Sequence, residues 1–274
     1  MQISILGAGW LGKALITALK EKNYTLNAST RKSSKLVELD ALGAKSFLID
    51  YLKENGVYGD TSFLKCDCLV ICMAPGRKNS GESLYLEALK SYLDIALELG
   101  TKKLIFTSST GIYGDMTGIV KEEDMNFDNK VKETQVEVYL QRVLLQAENL
   151  VLENKNINVY VLRLAGLIGP GRQAGRFLAG KKNVASPNAP VNLAEQSDVV
   201  AIIASFIEHE YPIGIYNICA DEHPTRKEFF TQQAHMLGLE APEFDEKDNA
   251  IGKTVSNEKV KKVLNFKFKN LLLT

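Results

Sequence analysis

Short apolar runs alternate with longer segments of helical period through the first two-thirds of this 274-residue chain, and no other feature narrows the fold as far. Gln2–Leu6, Tyr24–Ser29, Ala44–Ile49, Cys68–Met73, Lys103–Thr107 and Val159–Leu164 read as strands. Leu11–Glu21, Ser34–Leu42, Ser83–Leu99 and Glu133–Glu153 read as the helices that follow or precede them. Cys68–Met73 is apolar at every position, as a strand covered on both faces must be. This alternation predicts an α/β fold, a doubly wound parallel sheet with helices on both sides. After about Gly166 the rhythm changes. Gly169-Pro170-Gly171, Gly175, Gly180 and Pro187–Pro190 mark a turn-rich stretch, followed by helices at Asp198–Glu208 and Thr225–Leu237 around a strand at Ile215–Ile218.

The first strand runs into Gly7-Ala8-Gly9-Trp10-Leu11-Gly12, and the first helix follows at once. G-x-G-x-x-G carries little information alone; between a strand and a helix it is a dinucleotide signature. Gly7 permits the tight turn, Gly9 leaves room for a pyrophosphate, and Gly12 lets helix and strand pack closely. The helix start, with Trp10 and Leu11, supplies N–H donors and a partial positive charge. The same glycines in a ligand-free β–α turn are the plain alternative. The end of the second strand reads Ala28-Ser29-Thr30-Arg31-Lys32-Ser33, without the carboxylate that binds a ribose 2′-hydroxyl in NAD proteins. Arg31 can fork onto a 2′-phosphate with Thr30 and Lys32 as supporting donors, which favours NADP over NAD. A solvated basic turn is the other reading. Asp50, ending the third strand, can take the adenine amino group or cap its own loop. Ala74, just past Cys68–Met73, lines the same expected cofactor cleft.

Bulk properties exclude other classes. Lys plus Arg equals Asp plus Glu at 33 each, which argues against a general nucleic-acid or anionic-membrane binder. No apolar run approaches the ~20 residues that span a bilayer. Met1 leads directly into a strand with no export leader, and only four cysteines occur, so a cytoplasmic location is expected. Cys66-x-Cys68 has no matching pair of ligands, so no metal is expected. His209, His223 and His235 are scattered and read as structural, and Lys259–Lys262 as a solvated helix face.

Leu104-Ile105-Phe106-Thr107-Ser108-Ser109-Thr110-Gly111-Ile112-Tyr113-Gly114-Asp115 resembles the "SSxxVYG" segment of the extended short-chain dehydrogenases/reductases, the NAD(P)-dependent epimerase/dehydratase family. Arg163–Gly171 (RLAGLIGPG) is similar to that family's "RxxxxYGPG", Asp198-Val199-Val200 to its "DVA", and Tyr216-Asn217-Ile218 to its "YNV". The ordered matches cover nearly the whole chain. They imply a Rossmann-type NAD(P)-binding domain over residues 1–165 and a smaller, interleaved α/β substrate lobe over 166–274. They imply too that Ser109 orients a substrate hydroxyl or carbonyl, and that a tyrosine on the next long helix moves the proton. Tyr139 falls near that place. Four residues on, where the family has the lysine that lowers the tyrosine pKa, stands Val143; Arg142 at +3 is the nearby cation. Guanidinium can assist electrostatically but cannot relay a proton. Tyr139 reads equally as a packing residue on an amphipathic helix.

Leu6-Gly7 replaces the family's Thr-Gly, and Ile168 its "YGPG" tyrosine. The chain thus resembles an atypical branch without the Tyr-x-x-x-Lys pair. Arg172 and Arg176 flank the glycine-rich turn where the family contacts its substrate's nucleotide or phosphate, and can clamp an anion or form an interdomain ion pair. Asn192 is a further substrate or hinge candidate. The expectation is an NADP(H)-dependent oxidoreductase or epimerase-like enzyme for a small phosphorylated or nucleotide-linked substrate, monomeric or dimerising through its two long helices. The alternative is a dinucleotide sensor or partner-binding protein without turnover.

Overall fold

The computed structural model describes residues 1–52, 54–75, 82–125 and 139–271. Its centre is an eight-stranded sheet built from β1 (Gln2–Leu6), β2 (Thr25–Thr30), β3 (Lys45–Leu52), β4 (Gly56–Gly59), β5 (Cys68–Ile71), β6 (Lys103–Ser109), β8 (Asn158–Leu164) and β11 (Gly214–Ile218). The order across the sheet is β11-β8-β6-β5-β1-β2-β3-β4, and only β4 runs antiparallel, against β3. β5 is buried at every position, which is why its sequence carries no polar alternation.

Helices α1 (Trp10–Leu19), α2 (Leu36–Ala41), α3 (Glu82–Glu98), α4 (Tyr139–Leu152) and α6 (Gln196–Glu208) cover the sheet. α1 buries Leu11, Leu15, Ile16 and Leu19 along one stripe, next to α6. The first part of the expected Glu133–Glu153 helix, through Val138, lies outside the described residues. Three short pairings were not foreseen: β9 (Gly166–Ile168) with β10 (Leu193–Glu195), and β7 (Gly118–Val120) with β12 (Lys253–Val255), both parallel, besides the β3–β4 ribbon. Each strand is three or four residues long apart from β3, too short to show a period.

Residues after Gly166 do not stay apart from the main sheet: α6 packs on α1, and β11 pairs with β8. The rest form a small core of Ile168, Leu193, Phe229, Phe230 and Leu271 under α5 (Gly175–Leu178) and α7 (Arg226–Met236). Thr225 and Glu228 form a reciprocal capping box at the start of α7. The closing helix, α8 (Glu258–Leu264), carries the lysines read as a solvated face.

A buried polar network joins these layers. Arg163 on β8 is fully buried and donates to both oxygens of Glu148 on α4, to the Tyr113 hydroxyl at 2.9 Å, and to the Glu122 and Met125 carbonyls. Ser108 donates to Glu148, and Tyr113 donates to Asn217 Oδ1 at 2.7 Å. Burial pushes the Tyr113 phenol up to about 12, against the opposing pull of Arg163 and Asn217, so it stays a donor. Arg163→Met would strand the Glu148 carboxylate in the core, and a loss of about 3–5 kcal/mol is expected in urea unfolding.

Glu122 accepts the Asn217 N–H at 2.8 Å, yet burial holds its carboxyl above the usual range. The folded chain therefore binds this proton more tightly than the unfolded chain, and ionised Glu122 costs stability as pH rises past about 4.3. Glu122→Gln keeps the acceptor and removes that cost. Thermal melts should show the variant more stable than the parent at pH 7, with the gap closing at pH 4.

Candidate functional site

The chain winds from β1 through β2 to β3 on one side and then crosses to β5 on the other. The carboxyl ends of β1 and β5 are thus the point where the winding reverses, the place where open α/β sheets hold ligands. The Gly7–Gly12 turn sits there. Gly7 has φ +89°, and a Cβ on it would lie 3.3 Å from the Cys72 carbonyl. Its N–H donates to Ser29 Oγ at 3.0 Å, and the Ala8 N–H donates to the Ser29 carbonyl at 2.8 Å. The turn is thereby fixed to β2 and β5 at once. A Cβ on Gly9 would meet nothing within 4 Å, so the backbone there faces open space. One on Gly12 would stand 3.2 Å from the Gly7 carbonyl and from Ile5, the close helix–strand approach expected of the third glycine.

Leu11 is buried in the core. Trp10 is not a bystander: its indole N–H donates to the Pro170 carbonyl at 2.8 Å, and its own carbonyl accepts from Gln196 Nε2 at 3.1 Å. The Arg172 guanidinium lies over the indole, 4.9 Å from its centroid. The turn after β1 is thus locked to the turn after β9.

At the end of β2, Thr30 Oγ1 accepts the Lys32 N–H at 3.2 Å, and Arg31 and Lys32 are exposed, without an ion pair among the described residues. Burial drives Tyr92 above its ordinary range, with Asp50 adding to the shift and Arg31 opposing it. β2 and β3 pair in parallel, so their carboxyl ends lie side by side. Asp50 Oδ1 accepts the N–H of Tyr51, and Ala74 is exposed just past β5.

Ser109 ends β6 half-buried, its Oγ accepting the Gly111 N–H at 3.1 Å and capping the turn Thr110–Tyr113. That bond leaves the hydroxyl hydrogen free to donate. Tyr139 opens the described part of α4 and, partly buried, packs against the hydrophobic cluster over β5 and β6 that also holds Val143 and Ala147. Among the described residues, two α4 side chains meet the Ser109 turn: Leu140, 3.6 Å from where a Gly111 Cβ would stand, and Gln141, whose Nε2 donates to the Ile112 carbonyl at 3.3 Å. Arg142 is half-buried and Val143 fully so.

Arg172 and Arg176 are both exposed, Arg176 on the one-turn α5, which Gly175 lets pack against the Gln233 carbonyl. Asn192 serves β12: its Oδ1 accepts the Val255 N–H and its Nδ2 donates to the Lys253 carbonyl, both at 2.8 Å. It is a backbone tie rather than a free cleft group.

Sequence reasoning missed Lys253. It is half-buried on β12 and its Nζ donates to the Gly114 carbonyl, across from the Ser109 turn. Burial lowers its pKa, with Asp115 opposing. Its partner is 139 residues away, and no local pattern announces it. Among the described residues no cluster of His, Cys, Asp or Glu could hold a metal, and no helix is long and apolar enough to cross a membrane.

The model of the NAD dependent epimerase/dehydratase family matches residues 3–219. The chain belongs to this family. Protein YeeZ of Escherichia coli K12 is 34% identical over 270 residues, 97% of this chain and 95% of YeeZ. Among solved structures, the UDP-glucuronic acid 4-epimerase of Bacillus cereus, in complex with NAD, superposes with TM-score 0.78 at 18% identity, covering 99% of this chain and 93% of that one. The UDP-glucose 4-epimerase of Thermotoga maritima, with UDP-glucose, gives 0.75 at 18%, covering 100% and 97%. A conserved protein of unknown function from Silicibacter pomeroyi gives 0.73 at 21%, covering 99% and 95%. At these identities the superpositions establish the shared fold, the Rossmann-type sheet read from the strand–helix alternation.

The glycines separate fold from ligand. Gly7→Ala forces an L side chain into a left-handed conformation against the Cys72 backbone, and chemical denaturation should show a loss of about 1–3 kcal/mol. Gly9→Ala, facing open space, should stay within about 1 kcal/mol of the parent.

Proposed function

We propose that this chain binds a nicotinamide dinucleotide, NADP(H) in preference to NAD(H), and works as an epimerase- or dehydratase-like oxidoreductase. Its substrate is a hydroxyl or carbonyl compound that is phosphorylated or nucleotide-linked. The observation that carries the reading is the Gly7–Gly12 turn at the β1/β5 crevice, with Gly9 open where a pyrophosphate needs room. The backbone at Gly9, Trp10 and Leu11 holds the phosphates, Gly7 and Gly12 shape the turn, and Ala74 lines the cleft. Asp50 takes the adenine. Thr30, Arg31 and Lys32 hold the 2′-phosphate; two exposed cations without an ion pair among the described residues, and no carboxylate beside them at the end of β2, support NADP. The family name and the NAD in the Bacillus cereus epimerase support a nicotinamide dinucleotide in general.

The nicotinamide, when bound, supplies a two-electron hydride carrier. Ser109 donates its free hydroxyl hydrogen to the substrate oxygen. Tyr139 is the proton carrier in this reading, with Arg142 as its nearest helical cation, and Arg176 faces the substrate's anionic end. UDP-glucose in the Thermotoga maritima relative supports a nucleotide-linked substrate. Among the described residues the α4 side chains at the Ser109 turn are Leu140 and Gln141, neither of which carries a hydroxyl, and this favours the second reading, a dinucleotide-binding protein without turnover. Tyr139→Phe separates them: loss of turnover with cofactor binding kept supports the enzyme.

The experiment is a titration of the purified protein with NADPH and with NADH, followed by nicotinamide fluorescence and repeated on Arg31→Ala. A charge-assisted bidentate contact is worth about 1.5–3 kcal/mol, so the variant should lose roughly 10- to 100-fold in NADPH affinity and little in NADH affinity. Absence of binding by either nucleotide overturns the proposal.

A further inference from the structure

We infer that Arg172 belongs to the phosphate site of the dinucleotide rather than to the substrate, and that Trp10 holds it there; this rests on the dinucleotide reading above. Trp10 is the single tryptophan of the chain and the first residue of α1, directly after Gly9. Side chains on a helix lean toward its amino end, so this indole lies beside the N–H groups that open α1. Pro170 takes the indole N–H, and a Cβ on Gly169 would be only 3.3 Å from ring carbon Cζ2. The segment after β9 is thus pressed onto one edge of the ring. It closes on itself through Gly169 and Arg172, which exchange backbone bonds of 2.8 and 3.3 Å. The guanidinium then lies over the indole at 4.9 Å.

Stacking uses the face of a guanidinium and leaves its in-plane N–H donors for other partners. Arg172 is exposed and makes no ion pair among the described residues. The other cation of the first turn of α1, Lys13, is engaged by Glu38 at 2.7 Å, and the first turn holds no acidic residue to compete for an arginine. A pyrophosphate brings about two negative charges, whereas the helix end offers only about half a positive one. The stacked Arg172 supplies most of the remainder from a segment 160 residues away in sequence from the turn that cradles the phosphates. Arg176, off the indole and on α5, is the arginine left for the substrate.

A consequence is that cofactor and substrate segments are linked. A dinucleotide that engages Arg172 fixes the Gly169–Arg172 turn against α1, and by reciprocity whatever orders that turn tightens cofactor binding.

The test uses the full-length protein with three probes, NADPH, NADH and ADP-ribose; all contain the pyrophosphate, and only NADPH has the 2′-phosphate. Arg172→Ala should weaken all three by the same factor, tenfold or more, while Arg31→Ala weakens NADPH alone. Arg172→Lys should recover little, because an ammonium neither stacks flat nor forks. Trp10→Leu, which keeps an apolar contact but removes the stacking face, should reproduce part of the loss for all three probes. Thermal melts of Arg172→Ala should match the parent, since the side chain is exposed. An Arg172→Ala protein that binds all three within twofold of the parent overturns the inference and returns Arg172 to the substrate or to the junction between segments. A parent that binds none of the probes shows instead that the dinucleotide reading itself fails.

Discussion

The Arg163–Glu148 pair is the contact on which the surrounding architecture depends. Two opposite charges in a dry core are costly to desolvate, and the arrangement is tolerable only when every donor and acceptor finds a partner. Here Arg163 distributes its donors over a carboxylate, a phenol and two backbone carbonyls. In doing so it ties β8, next to the edge strand β11, to α4, to the turn after Ser109 and to the stretch around Glu122. The network therefore sets where Ser109 stands and which face α4 turns toward it.

That last point concerns what the sequence pattern of α4 leaves open. Successive residues on a helix are about 100° apart, so one position decides whether a side chain meets the cleft or the core. Glu148 is held by Arg163, and on the same helix Leu140 and Gln141 meet the Thr110–Tyr113 turn while Tyr139, partly buried, lies against the cluster over β5 and β6. A tyrosine in a helical segment announces itself in sequence; the rotation of the helix is set by a salt bridge between residues 15 apart and does not. Tyr113 is the converse case. It was visible only as part of a motif, and its role as a buried hub between Arg163 and Asn217 needed the fold.

The main sheet was legible because its strands are continuous apolar runs and its helices keep their period. β7, β9, β10 and β12 were not, since each is three residues long and is defined by its partner rather than by its own residues. The glycine turn was legible down to the separate geometry of Gly7, Gly9 and Gly12, because strand, turn and helix are contiguous in the chain. Trp10 and Lys253 were opaque for the opposite reason: their partners, Pro170 and Gly114, lie 160 and 139 residues away.

The Trp10 contact also sets a clock for the growing chain. The glycine turn leaves the ribosome among the first residues, but Pro170, which accepts the indole N–H, and Gln196, which donates to the Trp10 carbonyl, emerge far later. At about 5–20 residues per second, that separation corresponds to roughly 8–30 s during which a large aromatic ring at the mouth of the crevice has no partner from its own chain. During translation this ring is an exposed apolar surface open to chaperones, and it is covered only when the turn at Pro170 arrives.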